Sequence, residues 1–374
     1  METGTGAEPL IGFTIGVTAA RRREELLALL QGLGAKVVDA PTVRIVAPAD
    51  DPVLRRATEH ALERRLDYVV ATTGVGWRGW LAAAEGWGLD ARVLSACRAA
   101  VLISRGPKAT TAVRAYGLRE VYAPGSDAGD ELLAWLLARD LRGRRIAVQE
   151  HGAAPEGFAD VLRERGADVV QLPVFRWGPP DDAGAVRRLV EQTARREIHA
   201  LTFTSSPAIG AFLEAAHEHG RHGDVLAALR GDVLPVCIGP VCARPLADHG
   251  IESVWPERGR LGSLVRTIAE ALPARARREL DTGTERFILQ GNALFVGGRT
   301  IWLPPVPGAV LRALAEKPGW VLSRAELLRR VWPDTRTDEH AVEAAVARLR
   351  TALGAHSGLV RTVTKRGYRL AVDP

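Results

Sequence analysis

The sequence predicts an α/β protein made of two similar parallel-sheet halves, followed by a small C-terminal domain of three helices and a β-hairpin. Three observations predict it. Short apolar strands alternate with amphipathic helices over 11–270, which implies parallel sheets covered by helices on both faces. That alternation repeats at a constant offset of 132. Beyond position 285 the pattern changes to leading strands, three short helices and a basic hairpin.

A chain of 374 residues with 47% hydrophobic content is long enough for two or three domains with ordinary cores. Its first residues, Met1-Glu2-Thr3-Gly4-Thr5-Gly6, are acidic and small, and no apolar run approaches the ~18 residues of a membrane span, so a soluble cytoplasmic protein with no membrane partner is expected. Cys97, Cys237 and Cys242 show no paired framework, so buried thiols are expected, with neither disulfides nor a metal site.

In order, an apolar run at 10–17 ends in Thr18-Ala19-Ala20, and 21–33 carries Leu26, Leu29, Leu30 and Leu33 on one helical face. Strands follow at 34–38, 67–71 and 99–104, a short one near Val121, with helices at 77–85, 109–116 and 129–137. The second half reads strand 146–149, helix 155–165, strand 168–172, helix 183–195, strand 200–203, helix 208–217, strand 234–238, and helices 242–249 and 261–271. At the offset of 132, Gly34-Ala35-Lys36-Val37-Val38 matches Gly166-Ala167-Asp168-Val169-Val170, and Pro41, Arg44, Pro48 and Asp50 match Pro173, Arg176, Pro180 and Asp182. Thr72-Thr73 falls on Thr204-Ser205, and one further step of shift sets Gly106-Pro107 on Gly239-Pro240.

The Pro-flanked segments 41–48 and 173–180 are extended and have no helical period, so they are the expected passages between lobes. They imply a discontinuous lobe one (11–42 with 178–270), an inserted lobe two (49–172) and a linker at 271–285. Ligands bind such sheets at the carboxyl ends of the strands. There the chain places Thr18, Thr72-Thr73-Gly74, Ser104, Gly106-Pro107-Lys108, Glu150-His151-Gly152, Thr204-Ser205-Ser206, Gly239 and Cys242. Hydroxyls, glycines and helix N-termini suit a carboxylate ligand. Taken singly, each Thr or Ser serves equally as an N-cap. No nucleophile with its base and no metal cluster occurs among them.

In the C-terminal domain, Leu311, Leu314 and Ala315 keep helical spacing until Lys317-Pro318-Gly319 stops it. Ser323 with Glu326 forms a capping box, and Leu322 with Leu327 a hydrophobic staple. A third helix from Asp338 carries Val342, Val346, Leu349 and Leu353 on its buried stripe. Strands at 359–363 and 368–372 flank the tip Thr364-Lys365-Arg366-Gly367. This is a winged helix-turn-helix, which reads double-stranded DNA with its third helix and its wing. The expected contacts are His340, Glu343, Ala344, Ala347, Arg348 and Arg350 on the helix and Thr364, Lys365 and Arg366 at the tip. The stretch 286–374 holds 14 Lys and Arg against 7 Asp and Glu, a net of +7, whereas the rest of the chain, with 36 against 37, sums to −1. Phosphate binding needs such an excess.

Pro318-Gly319, Val321-Leu322-Ser323, Glu326-Leu327-Leu328, Val331-Trp332, Val342-Glu343, Arg348-Leu349-Arg350 and Gly367-Tyr368-Arg369-Leu370, with leading strands at 286–290, 293–296 and 300–303, resemble the OmpR/PhoB-type effector domain over 286–372. One departure is Leu303-Pro304-Pro305-Val306-Pro307-Gly308, which lacks the acidic residue usual at that family's first helix start. Thr18, Pro41, Gly106-Pro107-Lys108 with Gly117, Phe203-Thr204-Ser205 with Phe212-Leu213, and Ile238-Gly239-Pro240 with Gly250 resemble uroporphyrinogen-III synthase over 11–270. The resemblance implies a two-lobed fold, no cofactor, and closure of hydroxymethylbilane with inversion of its last ring. Its ligand is a tetrapyrrole with eight carboxylates. Where that family carries a Tyr proposed as the acid, this chain has Phe175, which has no proton to give, so no catalytic residue is assigned. Cys242 replaces a family Thr, and the family's Thr-Arg pair after the first strand is spread over Thr18-Ala19-Ala20-Arg21.

Two functions are therefore weighed: a transcription regulator with a synthase-like sensing or assembly module, and an active synthase that also binds DNA. A phosphorylated receiver is excluded, because the strand at 11–17 is followed by no acidic pair and neither half has the Asp and Lys set that holds Mg²⁺. Such fusions resemble actinobacterial regulators of nitrate and nitrite assimilation. A homo-oligomer and a co-regulator on DNA are further partners this reading allows.

Overall fold

The computed structural model describes residues 8–124, 129–150, 157–332 and 338–372, and His151 and Gly152 lie outside them. The first repeat runs β1 (Thr14–Val17), α1 (Arg23–Gln31), β2 (Lys36–Asp39), β3 (Arg44–Val46), α2 (Pro52–Ala61), β4 (Tyr68–Ala71), α3 (Gly74–Gly86), α4 (Asp90–Ala99), β5 (Val101–Ser104), α5 (Gly106–Arg114) and α6 (Gly129–Leu137). The second runs β6 (Arg145–Glu150), α7 (Phe158–Glu164), β7 (Asp168–Pro173), β8 (Arg176–Gly178), α8 (Ala183–Ala194), β9 (Ala200–Phe203), α9 (Ser206–Glu218), α10 (His222–Gly231), β10 (Leu234–Cys237), α11 (Pro240–Ala247) and α12 (Leu261–Ala276). Each element has a counterpart. The offset of 132 holds without drift for β3 and β8, β4 and β9, α3 and α9, α4 and α10, and the starts of α6 and α12.

One parallel sheet has the order β10-β9-β1-β2 and the other β5-β4-β6-β7. Under the repeat these are the same order, with β5 for β10, β4 for β9, β6 for β1 and β7 for β2. Each sheet therefore takes two strands from each repeat, so the chain must change sheets after β2 and again after β7. Those passages contain β3 and β8, which pair with each other. The chain divides there into two compact units, Met1–Arg44 with Pro179–Pro374, and Ile45–Gly178. Strands β1, β9 and β10 are buried throughout, as a sheet covered on both faces requires. In the second unit, Trp77 and Trp80 meet edge to face at 5.5 Å, and Trp80 Nε1 donates to Thr58 Oγ1.

The C-terminal domain comprises β11 (Arg278–Asp281), β12 (Arg286–Gln290), β13 (Ala293–Val296), β14 (Arg299–Trp302), α13 (Pro305–Ala315), α14 (Arg324–Val331), α15 (Glu339–Leu353), β15 (Val360–Val363) and β16 (Gly367–Leu370). Strands β11 to β14 form an antiparallel meander. The stretch 271–285, expected as a linker, is instead structured: α12 continues through Pro273 to Ala276, and β11 follows from Arg278. Buried Leu272 and Leu280 anchor its two ends, so it has a core of its own to fold against.

Within the first unit the meander is bonded to the start of the chain. Asn292 N–H donates to Gly12 O at 2.8 Å, and the buried Gln290 amide donates to Pro9 O at 3.0 Å and Ile11 O at 2.8 Å. Gly12 and Gly291 face each other with φ of 86° and 56°, and a Cβ on either would collide with the opposing backbone. Only glycine meets both demands.

Candidate nucleic-acid interface and ligand-facing turns

Helix α14 begins with the full capping box: Ser323 Oγ accepts from Glu326 N–H, and the Glu326 carboxylate accepts from Ser323 N–H at 2.8 Å. Those bonds from the Ser323 backbone and hydroxyl hold the Glu326 carboxyl below its ordinary pKa. Asp338 caps α15, accepting from His340 N–H. Val342, Ala345, Val346, Leu349 and Leu353 are buried, which turns His340, Glu343, Ala344, Ala347 and Arg348 to the exposed face. Glu343 is held by Arg324 of α14 at 2.9 Å.

Arg350 does not belong with them. Its guanidinium donates to Val360 O at 2.9 Å and to Thr362 Oγ1 at 2.8 Å, bracing β15 against α15. Directly after buried Leu349, it lies about 100° further round the helix, toward the hairpin. The expectation of a DNA contact there is corrected to a positioning role.

Thr364, Lys365 and Arg366 are exposed at the hairpin tip, and Lys365 takes a left-handed φ of 62°. Gly367, with φ of 134°, lets the Leu322 backbone approach so closely that no Cβ fits, and Leu322 and Tyr368 exchange two backbone hydrogen bonds. The wing is thereby fixed to the turn before α14. Arg361 and Arg369, directly opposite each other across the wing strands, add two cations that sequence reasoning missed. Alternation along 360–363 was the available signal.

The ligand-facing turns gather at the carboxyl edge of each sheet, and most of their hydroxyls are already used. In the first unit, fully buried Thr18 donates to Thr202 O at 2.8 Å, Ser206 to Val241 O at 3.0 Å, and Cys242 Sγ to Phe203 O at 3.5 Å. Thr204 and Ser205 make no side-chain hydrogen bond among the described residues, and they stand with the N–H groups of α9 and the extended Gly239 beside them. In the second unit Thr72 donates to Gln149 O, Thr73 caps α3, and Ser104 shares a 2.7 Å hydrogen bond with Thr110. Gly74 lets the Lys108 backbone approach so closely that no Cβ fits. Lys108 is exposed, and Arg105, beside it at the start of α5, is a further cation that the sequence reading passed over. Thr18, Thr72, Thr73, Ser104, Ser206 and Cys242 are therefore structural bonds of the turns. Among the described residues, Thr204 and Ser205 in the first unit and Lys108 and Arg105 in the second make no side-chain hydrogen bond.

Phe175 packs edge to face on Trp177 at 5.0 Å and brings no acid. The three cysteines are free and buried. Burial pushes the Cys97 thiol up to about 12, and the Cys242 thiol and burial together raise that of Cys237, so neither is a nucleophile. No metal-binding cluster and no helix long and apolar enough to cross a membrane occurs among the described residues.

Residues 24–266 match the family described as uroporphyrinogen-III synthase HemD, well over half of the 374-residue chain. The chain belongs to the uroporphyrinogen-III synthase family. A crystal structure of a mutant uroporphyrinogen III synthase from Thermus thermophilus superposes on the synthase region with a TM-score of 0.54 at 28% identity, covering 70% of this chain and all of that one. The uncharacterized protein YjjA of Bacillus subtilis is 26% identical over 265 residues, 70% of this chain and 96% of its own length. Residues 298–370 match the C-terminal domain of transcriptional regulatory proteins. The transcriptional regulatory protein AfsQ1 of Streptomyces coelicolor is 32% identical over 240 residues, 62% of this chain and 89% of that protein. The synthase region thus carries a DNA-binding winged helix of the response-regulator type.

Proposed function

We propose that this protein is a transcription regulator whose synthase half senses a tetrapyrrole acid and makes no uroporphyrinogen III. The observation that carries the reading is the pairing of an exposed recognition face, from His340 to Arg348, with a second crossover that offers Phe175 and no proton donor. Each unit by itself offers groups suited to carboxylates, Thr204 and Ser205 in the first and Arg105 and Lys108 in the second. Genes of nitrate and nitrite assimilation are the proposed targets, because nitrite reductase uses sirohaem, which is made from uroporphyrinogen III.

A purified sample incubated with hydroxymethylbilane should form no uroporphyrinogen III, while calorimetry should register binding of a uroporphyrinogen-type ligand. Turnover at the rate of an authentic synthase would overturn the lost chemistry, and absence of any tetrapyrrole binding would overturn the sensing role. In gel-shift titrations at fixed salt, Arg348→Ala should weaken operator binding by ~1–3 kcal/mol. Lys365→Ala with Arg366→Ala should weaken binding to all sequences and flatten its salt dependence. An unchanged affinity in the first variant, or an unchanged salt slope in the second, sinks the corresponding placement.

A further inference from the structure

We infer that a cavity of about 440 Å³ where the winged helix meets lobe one, inside the first unit, is a binding site for a small polyanion with two or more phosphate or carboxylate groups. Its walls come from the end of α8, the segment before β9, the end of α12, β11, α13 and the end of α14. Seven arginines line it against two carboxylates. Arg196 pairs with Asp232 at 2.6 Å and Arg330 with Glu316 at 2.5 Å, which accounts for both acids.

Five guanidinium groups remain. Arg275 and Arg278 donate only to backbone oxygens, and Arg312 to Gly291 O and the Asn292 amide oxygen. Arg195 reaches Glu191 only at 3.9 Å, and Arg329 makes no hydrogen bond or salt bridge among the described residues. Carbonyl acceptors satisfy a guanidinium's donors and leave its charge unmatched, so these cations repel one another across the cavity. Burial pushes the Arg312 pKa down to about 10, against the opposing pull of the Asp232 carboxylate.

His199 adds an independent observation. It is buried in the same wall, and its Nδ1 accepts from Thr14 N–H at 2.9 Å, which leaves the proton on Nε2. That Nε2–H has no acceptor among the described residues. A buried donor without an acceptor, beside unmatched arginines, is completed by an anionic oxygen. The volume lies in the range of metabolite sites and excludes a duplex. The site goes beyond the tetrapyrrole reading and stands on other residues, so neither depends on the other.

The test is titration calorimetry of the full chain, without DNA, with pyrophosphate and with citrate, against potassium chloride at matched ionic strength. Saturable binding of one or both at a single site is expected, and the tighter of the two identifies phosphate or carboxylate as the preferred group. The exposed pair Arg195→Gln with Arg329→Gln should weaken binding at least tenfold. His199→Asn keeps an oxygen for Thr14 N–H and removes the free donor, and should weaken it severalfold. Heats no larger than those of potassium chloride, or full affinity in the folded double variant, would overturn the proposal.

Discussion

The two lobes share one strand order and close their turns with different chemistry. In lobe two Thr73 accepts from Gly76 N–H, Ser104 pairs with Thr110, and Thr72 holds Gln149 O. At the equivalent places of lobe one stand Ser205, which caps nothing, Cys237, and Thr204, which makes no side-chain bond among the described residues. The backbone is shared, and at these three places of the repeat the side chains are bonded in lobe two, whereas the hydroxyls of Thr204 and Ser205 in lobe one are not. A second difference lies at the start of each sheet. Gly12 admits the winged helix, whereas its counterpart in the second repeat is Arg144, paired with Asp67 at 3.0 Å.

The sharpest break in that comparison is Gly12→Ala. The new Cβ would meet Gln290 O and lie 2.8 Å from the Ala293 Cβ, at a left-handed φ of 86°. Backbone strain and overpacking together should cost on the order of 4 kcal/mol. In calorimetry the first unit should melt lower, with the winged helix released as a separate transition and the second unit unchanged. A single transition at the wild-type temperature would show that the junction contributes nothing.

This junction also marks where the sequence stopped being legible. The repeat, the capping box at Ser323, the stripe from Val342 to Leu353 and the wing could be read because each is a local pattern of spacing. Helix α4 could not: it buries only Val93 and Cys97, a stripe too thin for apolar periodicity to register. Helix α2 could have been, because Asp51 as cap, Pro52 at the first helical position and Leu54, Thr58 and Ala61 at i, i+4 and i+7 are a local pattern that the sequence reading passed over. Contacts between Gly12 and Gly291, or between Arg350 and Val360, join residues whose neighbours in sequence say nothing of each other. For the ligand turns, residue type was legible and use was not: a Thr that donates to a backbone oxygen looks the same in sequence as one facing solvent.

Smaller effects should follow from the N-caps of α2 and α8. Asp51 is buried, accepts from Val53 N–H and pairs with Arg176 at 2.6 Å, whereas Asp182 is exposed and reaches Arg188 only at 3.5 Å. Burial pushes the Asp51 carboxyl up, but the Arg176 hydrogen bond, the Val53 N–H and the Arg176 charge outweigh it and leave the pKa lowered. A carboxyl lowered on folding contributes stability in full above its unfolded pKa of ~3.9 and loses it as pH falls through the folded value. Asp51→Asn keeps the cap and removes the charge. It should destabilise the second unit by ~2 kcal/mol at neutral pH, less than for a fully buried pair because Arg176 is partly exposed, and it should flatten the acid limb. Urea midpoints at pH 7 and pH 3, followed by tryptophan fluorescence, measure both. An equal loss from Asp182→Asn would remove the contrast.

The finest contrast is between Thr73 and Ser205, which stand at the same point of the repeat. Each precedes a helix of 13 residues in an extended conformation. Only Thr73 accepts a hydrogen bond from its helix, at 3.1 Å from Gly76 N. Replacing a capping hydroxyl by Ala costs ~1 kcal/mol. Thr73→Ala should therefore lower the second unit's stability by about that amount, while Ser205→Ala should leave the first unit unchanged within the error of a urea titration. The ligand readout should run the other way. If Ser205 is held open for a carboxylate, its Ala variant should weaken binding of a uroporphyrinogen-type ligand severalfold, with no accompanying loss of stability. A stability loss in Ser205→Ala equal to that in Thr73→Ala would make both residues caps and close the open edge of lobe one.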